Sequence, residues 1–240
     1  MSRPLPAELN HPAWLHGHSA FTTVRTRQGE PLLWERHLAR LESTCALLGL
    51  PAPDPALPPL DPLPWGLLRL TVTEQGQFWS HRPLVPEPVP YTGLSVYLSG
   101  VQVHPHLGQH KTGNYLPYRL AAREAAAHGA QEALLQDAGG AWVDGSRSGL
   151  LLHSGGQWWV PAGGLPSVTR AAWLDELGVQ AEAVNVTLEV VQNMEHLWLC
   201  GAGLGVAPVG RLSGPALNRT LRAEWPATHH PALRCLGAPG

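Results

Sequence analysis

The chain has 240 residues and a mass of 25.8 kDa, with 16 Lys+Arg against 18 Asp+Glu for a net charge of −2. That near balance leaves no electrostatic footprint for duplex nucleic acid or an anionic membrane. Glycine (26) and proline (24) together make up about a fifth of the residues, without the period of a collagen or the clustering of a disordered tail. No run approaches the length a membrane-spanning helix needs. MSRPLPAELNHPAW at the N-terminus lacks the apolar segment of a signal peptide. Cys45, Cys200 and Cys235 are too scattered for a disulfide framework or a zinc site. The expectation is a soluble, cytoplasmic protein with a sizeable core.

AFTTVRTR (20–27) reads as a strand that turns at Gln28-Gly29 toward Leu32 and Leu33. ERHLARLESTCALLG then places Leu38, Leu41, Cys45 and Leu48 at steps of three and four residues, which predicts a helix stopped by Gly49. The proline-rich stretch 51–64 is an extended connector. Strands follow at 66–73 and 94–103, with a turn at Gln75-Gly76 between them. HPHLGQH (104–110) reads as a linker, and an alanine-rich helix occupies 114–129. Short strands are expected at 132–137, 141–145, 149–154 and 157–161, and a helix at 168–178. The remainder reads as strands in VQAEAVNVTL, LWLC and GVAPV and a last helix over 215–225. Strands and helices mix without regular alternation, which predicts two α+β subdomains hinged near 104–111.

The cations carry a sharper signal. Fifteen are arginines, and Lys111 is the only lysine in the chain. Where arginine serves for every solvated charge, a retained lysine suggests chemistry that guanidinium cannot perform. Only the amine gives up its proton readily when buried and forms a Schiff base with a carbonyl.

Six segments in order, FTTVR (21–25), HLAR (37–40), HKTGNYLPYRLAAREA (110–125), QEALLQDAGGAWVDGSRSG (131–149), LPSVTR (165–170) and CGAGLGVAPV (200–209), make the chain similar to the class IV aminotransferases. These are the fold-type-IV pyridoxal-phosphate enzymes. FTT and CGAGLGVAPV look most like the aminodeoxychorismate lyase branch. The resemblance implies a two-domain fold like that of D-amino-acid aminotransferase, with a small N-terminal α/β sandwich and a larger C-terminal pseudo-barrel. The corresponding division is 1–104, a linker at 105–111, and 112–240.

The resemblance also implies roles. Lys111 matches the residue that binds pyridoxal 5'-phosphate and then shuttles protons. Asp144 in DGSRSG stands where the family usually has a glutamate facing the ring nitrogen, and Gly149 replaces the usual asparagine. The amides of Val168 and Thr169 at a helix start, with the Thr169 hydroxyl, match the phosphate loop. Ala202 offers a further amide, and Arg40 in H-x-x-R a bidentate partner. Arg25 and Arg69 correspond to cations that receive substrate carboxylates, Thr23 to a proton donor or relay, and Tyr115 or Asn114 to a partner of the ring oxygen.

The implied activity is a lyase that eliminates pyruvate to leave 4-aminobenzoate for folate biosynthesis, on a small amino substrate and as a homodimer. The alternatives are an aminotransferase for branched-chain or D-amino acids, or a weakly active cofactor-binding relative. Three departures from the family pattern stand out: a short N-terminus before FTT, no glycine- and arginine-rich loop in EQGQFWSHRPLVPEP, and Asp144 itself. The close pairs His16/His18, His104/His106 and His229/His230 lack a carboxylate or cysteine at ligand spacing, so no metal is expected. The ten tryptophans are expected in the core and at interfaces.

Overall fold

The computed structural model describes residues 9–239. The chain divides into two compact units, one running up to Pro83 and including His110–Tyr115, the other comprising Leu84–Gln109 and the chain from Leu116 onward. The expected α+β class holds in both.

The first unit opens with a short helix, α1 (Pro12–Leu15), followed by β1 (Ala20–Arg27) and β2 (Glu30–Pro31). Then come α2 (Trp34–Leu48), β3 (Gly66–Thr73) and β4 (Gly76–Pro83). The strands form one antiparallel sheet in the order β2-β1-β3-β4. Strand alternation sends Ala20, Thr22 and Val24 to one face of β1 and Phe21, Thr23 and Arg25 to the other. The first face meets α2. Leu41 and Cys45, one helical turn apart, close with Ala20, Val24, Leu68, Leu70 and Val72 into a buried layer. Truncating Leu41 or Leu68 to alanine in such a layer costs about 2–5 kcal/mol. The helix ends as expected, with Gly49 in the left-handed conformation at φ 66°.

The second unit begins with β5 (Leu94–Gln102). After α3 (Leu116–Ala127) come β6 (Glu132–Gln136), β7 (Trp142–Gly145), β8 (Gly149–Ser154) and β9 (Gln157–Pro161). Next are α4 (Val168–Leu177), β10 (Glu182–Val184), α5 (Leu188–Asn193), β11 (His196–Gly201), β12 (Gly205–Gly214) and β13 (Leu217–Thr220). The sheet order is β10-β9-β8-β11-β12-β5-β6-β7, with β13 paired to β12 off this path. A tight turn carries β7 into β8, where Gly145 N donates to Ser148 O at 2.7 Å. That turn brings the last strand of the sheet back beside an earlier one, so the sheet curls. Leu150, Leu151 and Leu152 are consecutive and each 0% exposed, which means both faces of β8 are covered.

Three readings of the sequence change. Residues 84–104 lie in the second unit, because β5 pairs with β6 and β12 there. The helix expected over 215–225 is instead the strand β13 followed by irregular chain. Leu217, Leu221 and Trp225 still pack against the core cluster, since a spacing of four serves an extended chain as well as a helix. VQAEAVNVTL forms only the short β10. Its final residues lead into α5, where the Thr187 hydroxyl accepts from Val190 N at 3.4 Å as an N-cap.

Candidate active site

Within the first unit, Lys111 is pinned through its backbone to the start of β1. Its carbonyl accepts from Phe21 N at 2.8 Å, Gly113 N donates to Ser19 O at 2.7 Å, and Thr112 bridges Ala20. On the helix side, Lys111 N donates to Thr44 Oγ1 at 3.4 Å. The amine then has little freedom of origin. Its Nζ donates to the Tyr115 hydroxyl at 3.1 Å and lies 4.7 Å from the ring centroids of both Phe21 and Tyr115. Those two rings meet edge to face at 5.3 Å. Arg69 stacks its guanidinium 3.6 Å over Phe21, and Thr23 is its direct cross-strand partner. Phe21, Thr23 and Arg69 therefore share the face where the Lys111 amine emerges. Burial pulls the Arg69 pKa down, with Tyr115 opposing, yet an arginine retains its charge. Arg25, on the same strand face, is 1% exposed and 5.9 Å from the Trp65 ring.

The other face of β1 holds a relay that the sequence reading missed. Arg40 Nη2 donates to Thr22 Oγ1 at 3.0 Å, and the same hydroxyl lies 3.0 Å from His37 Nδ1. Thr22 Oγ1 therefore joins Arg40 and His37 in one hydrogen-bonded chain. Burial, then the charges of Arg40 and Lys111, push the His37 pKa down to about 3. A neutral imidazole beside two cations is the outcome. The two threonines of FTT thus lie on opposite faces of the strand. The first orients Arg40, and the second lies beside Arg69. H-x-x-R marked Arg40, and only the fold reveals why histidine precedes it.

In the second unit, Asp144 is 4% exposed near the end of β7, with Gly145 N donating to its Oδ1 at 3.1 Å. Its charge acts on Arg170, whose pKa burial lowers while Cys200 and Asp144 oppose. Arg170 Nη1 also donates to Leu150 O at 3.0 Å. The turn after Asp144 is braced by Glu132, a fully buried carboxyl passed over in the sequence as part of a strand. Glu132 accepts from Ser146 N at 2.9 Å, Ala133 N at 3.0 Å and Ser148 Oγ at 3.2 Å, and from the Ser146 hydroxyl. Burial nevertheless raises its pKa.

The N-terminus of α4 presses into this corner. Ser167 caps it by accepting from Arg170 N at 3.3 Å and donates its own proton to Cys200 O at 3.3 Å. That leaves Val168 and Thr169, the first two helical residues, with amides that no carbonyl of the helix can reach. Gly149 makes the approach possible. A Cβ there would lie 2.6 Å from Ser167 Cβ, so the asparagine usual in relatives has no room. Gly201 meets the same turn, with its would-be Cβ 3.1 Å from Arg147 O, and Ala202 follows it. Asp144, the α4 N-terminus and the Gly201-Ala202 turn therefore converge within this unit. The arrangement sets a buried carboxylate near a helix N-terminus.

Comparison with known proteins shows the family. The family described as amino-transferase class IV matches residues 19–212. An aminodeoxychorismate lyase from Vibrio harveyi is 23% identical over 241 residues, spanning 86% of this chain and 88% of that protein. A solved structure provisionally named 4-amino-4-deoxychorismate lyase shares 40% identity with a TM-score of 0.75, covering 87% of this chain and 89% of its own. The 4-amino-4-deoxychorismate lyase of Pseudomonas aeruginosa superposes with a TM-score of 0.77 at 25% identity, over 94% and 92% of the two chains. Among the described residues, no helix is long and apolar enough to cross a membrane. The chain belongs to the class IV amino-transferase family, the fold-type-IV enzymes that work as pyridoxal-phosphate-dependent lyases or aminotransferases.

Proposed function

We propose that this chain is a pyridoxal 5'-phosphate-dependent lyase acting as a 4-amino-4-deoxychorismate lyase, releasing pyruvate and leaving 4-aminobenzoate. The observation that carries the chemistry is the Lys111 amine, the only one among the side chains, held between the Tyr115 hydroxyl and the Phe21 ring. The preference for a lyase over an aminotransferase is supported by the 40% identity to a chain bearing the lyase name.

The donor set suits the cofactor in each unit. A braced amine, an arginine oriented through Thr22, a capped helix start with two unclaimed amides and a buried carboxylate are the groups it requires. When bound, pyridoxal phosphate supplies an electron sink for the substrate carbon that loses its proton. We assign Lys111 as its attachment point, and Arg40, Val168, Thr169 and Ala202 as partners of the phosphate. Asp144 keeps the ring nitrogen protonated, and Tyr115 is a partner of the ring oxygen. Lys111 Nζ would also take the proton from the amine-bearing carbon of the substrate. Arg25 and Arg69 hold the substrate carboxylates, and Thr23 Oγ1 relays a proton to the departing enolpyruvate. We assign the chain to a homodimer, as the family resemblance implies.

The test is pyruvate release. Supplied with enzymatically generated aminodeoxychorismate and no amino acceptor, the protein is expected to liberate pyruvate and 4-aminobenzoate in equal amounts. Turnover that requires a keto acid, with no pyruvate released from aminodeoxychorismate, would make it an aminotransferase instead.

A further inference from the structure

We propose that His153, His196 and Glu195 form a site for one divalent transition-metal ion of the zinc class, on the sheet of the second unit and apart from the residues assigned above. The two histidines are direct cross-strand partners in the antiparallel β8–β11 ladder, so their rings project from the same face. Glu195 immediately precedes β11, and its N donates to His153 O at 3.2 Å, which brings its carboxylate close to the pair. One ligand atom from each of the three residues lies within 4.8 Å of the others. A tetrahedral ion with bonds of about 2.0–2.1 Å keeps its ligand atoms about 3.4 Å apart, so modest side-chain rotations close the set.

The second ring nitrogen of His196 gives the site its direction. Nε2 lies 3.4 Å from Glu224 Oε2, while Nδ1 is buried and has no hydrogen-bond partner. That is the arrangement of a histidine with one ring nitrogen held by a carboxylate and the other available to a metal. Glu195 Oε2 accepts from Gly155 N at 3.4 Å, which leaves its other oxygen for the ion. Aromatic neighbours hold both imidazoles. Trp158 lies 4.6 Å from His153, and Trp198 stacks on His196 at 5.4 Å with its own Nε1 donating to Glu224 O at 2.7 Å. Two imidazoles and one carboxylate suit zinc, with water completing the shell on the exposed Glu195 side. The ion would tie β8 to β11. None of the histidine pairs adjacent in the sequence takes part, because the strand ladder, not the spacing along the chain, creates this set.

The experiment is a calorimetric titration of the whole chain, stripped with chelator, using zinc chloride alone in a non-coordinating buffer. Melting with and without zinc and tryptophan quenching by copper(II) accompany it. One equivalent is expected to bind and raise the melting temperature, and copper is expected to quench fluorescence through Trp158 and Trp198. His153→Asn and Glu195→Gln should each weaken zinc at least tenfold. Glu224→Gln should weaken it about tenfold, the usual worth of an outer carboxylate. The double variant His104→Asn/His106→Asn should bind as the parent does. Glu195 is exposed, so its variant folds whatever becomes of the histidine variants. No stoichiometric zinc in the parent, or affinity unchanged in Glu195→Gln and His153→Asn, would overturn the site.

Discussion

Lys111 Nζ donates to the hydroxyl of Tyr115, four residues further along the chain and 3.1 Å away. The segment between them is not helical. It is held by Gly113 N donating to Ser19 O at 2.7 Å, so the pair meets because β1 anchors the chain between the two residues. The amine is aimed before any ligand arrives. Tyr115→Phe should keep the fold and lower kcat by about 2–10-fold, the worth of one hydrogen bond. Steady-state kinetics beside unchanged thermal unfolding would check this, and a kcat equal to the parent's would show that Tyr115 does not orient the amine.

Lys111→Arg keeps the charge and removes the amine. Activity should fall by at least about 10²–10⁴-fold, the range for a positioned acid–base group. Borohydride reduction in the presence of pyridoxal phosphate should leave the variant unlabelled, and labelling elsewhere in the chain would refute the assignment.

Thr22 joins Arg40 to His37, whereas Thr23 lies on the opposite face of the strand. Thr22→Val leaves the part-buried Arg40 guanidinium and the buried His37 imidazole short of one partner each, at a cost of about 1–3 kcal/mol. It should also weaken pyridoxal phosphate binding, seen as a raised Kd in fluorescence titration. Thr23→Val should slow turnover and leave stability nearly unchanged. An exchange of these two phenotypes would invert the roles of the threonines.

His37 supplies a pH dependence of known sign. Its pKa is depressed from 6.5 to about 3 in the folded chain, so the unfolded chain binds the extra proton throughout that window. Stability should fall as the pH drops below 6.5, by about 1.4 kcal/mol per unit from this group, and level off near pH 3. His37→Asn retains a hydrogen-bonding side chain beside Thr22 and cannot titrate. Denaturant melts from pH 4 to pH 7, a range chosen on the order of the group's titration window, should show a shallower acid slope in the variant. Parallel slopes would place the acid sensitivity elsewhere.

Gly149→Asn restores the residue usual in relatives, yet it should destabilise this protein. The new Cβ would lie 2.6 Å from Ser167 Cβ at the α4 N-terminus, and overpacking of that kind costs about 1–3 kcal/mol. A fall in Tm of roughly 2–12 °C is expected. A rise would mean that α4 can move off β8 without cost.

Local pattern was legible in the sequence where one segment answers to one rule. The 3–4 spacing of Leu38, Leu41 and Cys45 described α2, Gly49 and Gly178 stopped two helices, and a single lysine pointed to amine chemistry before any fold was known. Where two geometries satisfy the same spacing, the chain alone could not choose. Residues 215–225 read as a helix, but β12 offered Leu217–Thr220 backbone partners and made them a strand, with irregular chain after it. The rest depends on long-range contact. Glu132 bracing the turn after Asp144, Thr22 linking Arg40 to His37, and His153 meeting His196 each join segments distant along the chain. Periodicity reports which face a residue occupies, but only strand pairing and packing decide what stands opposite it.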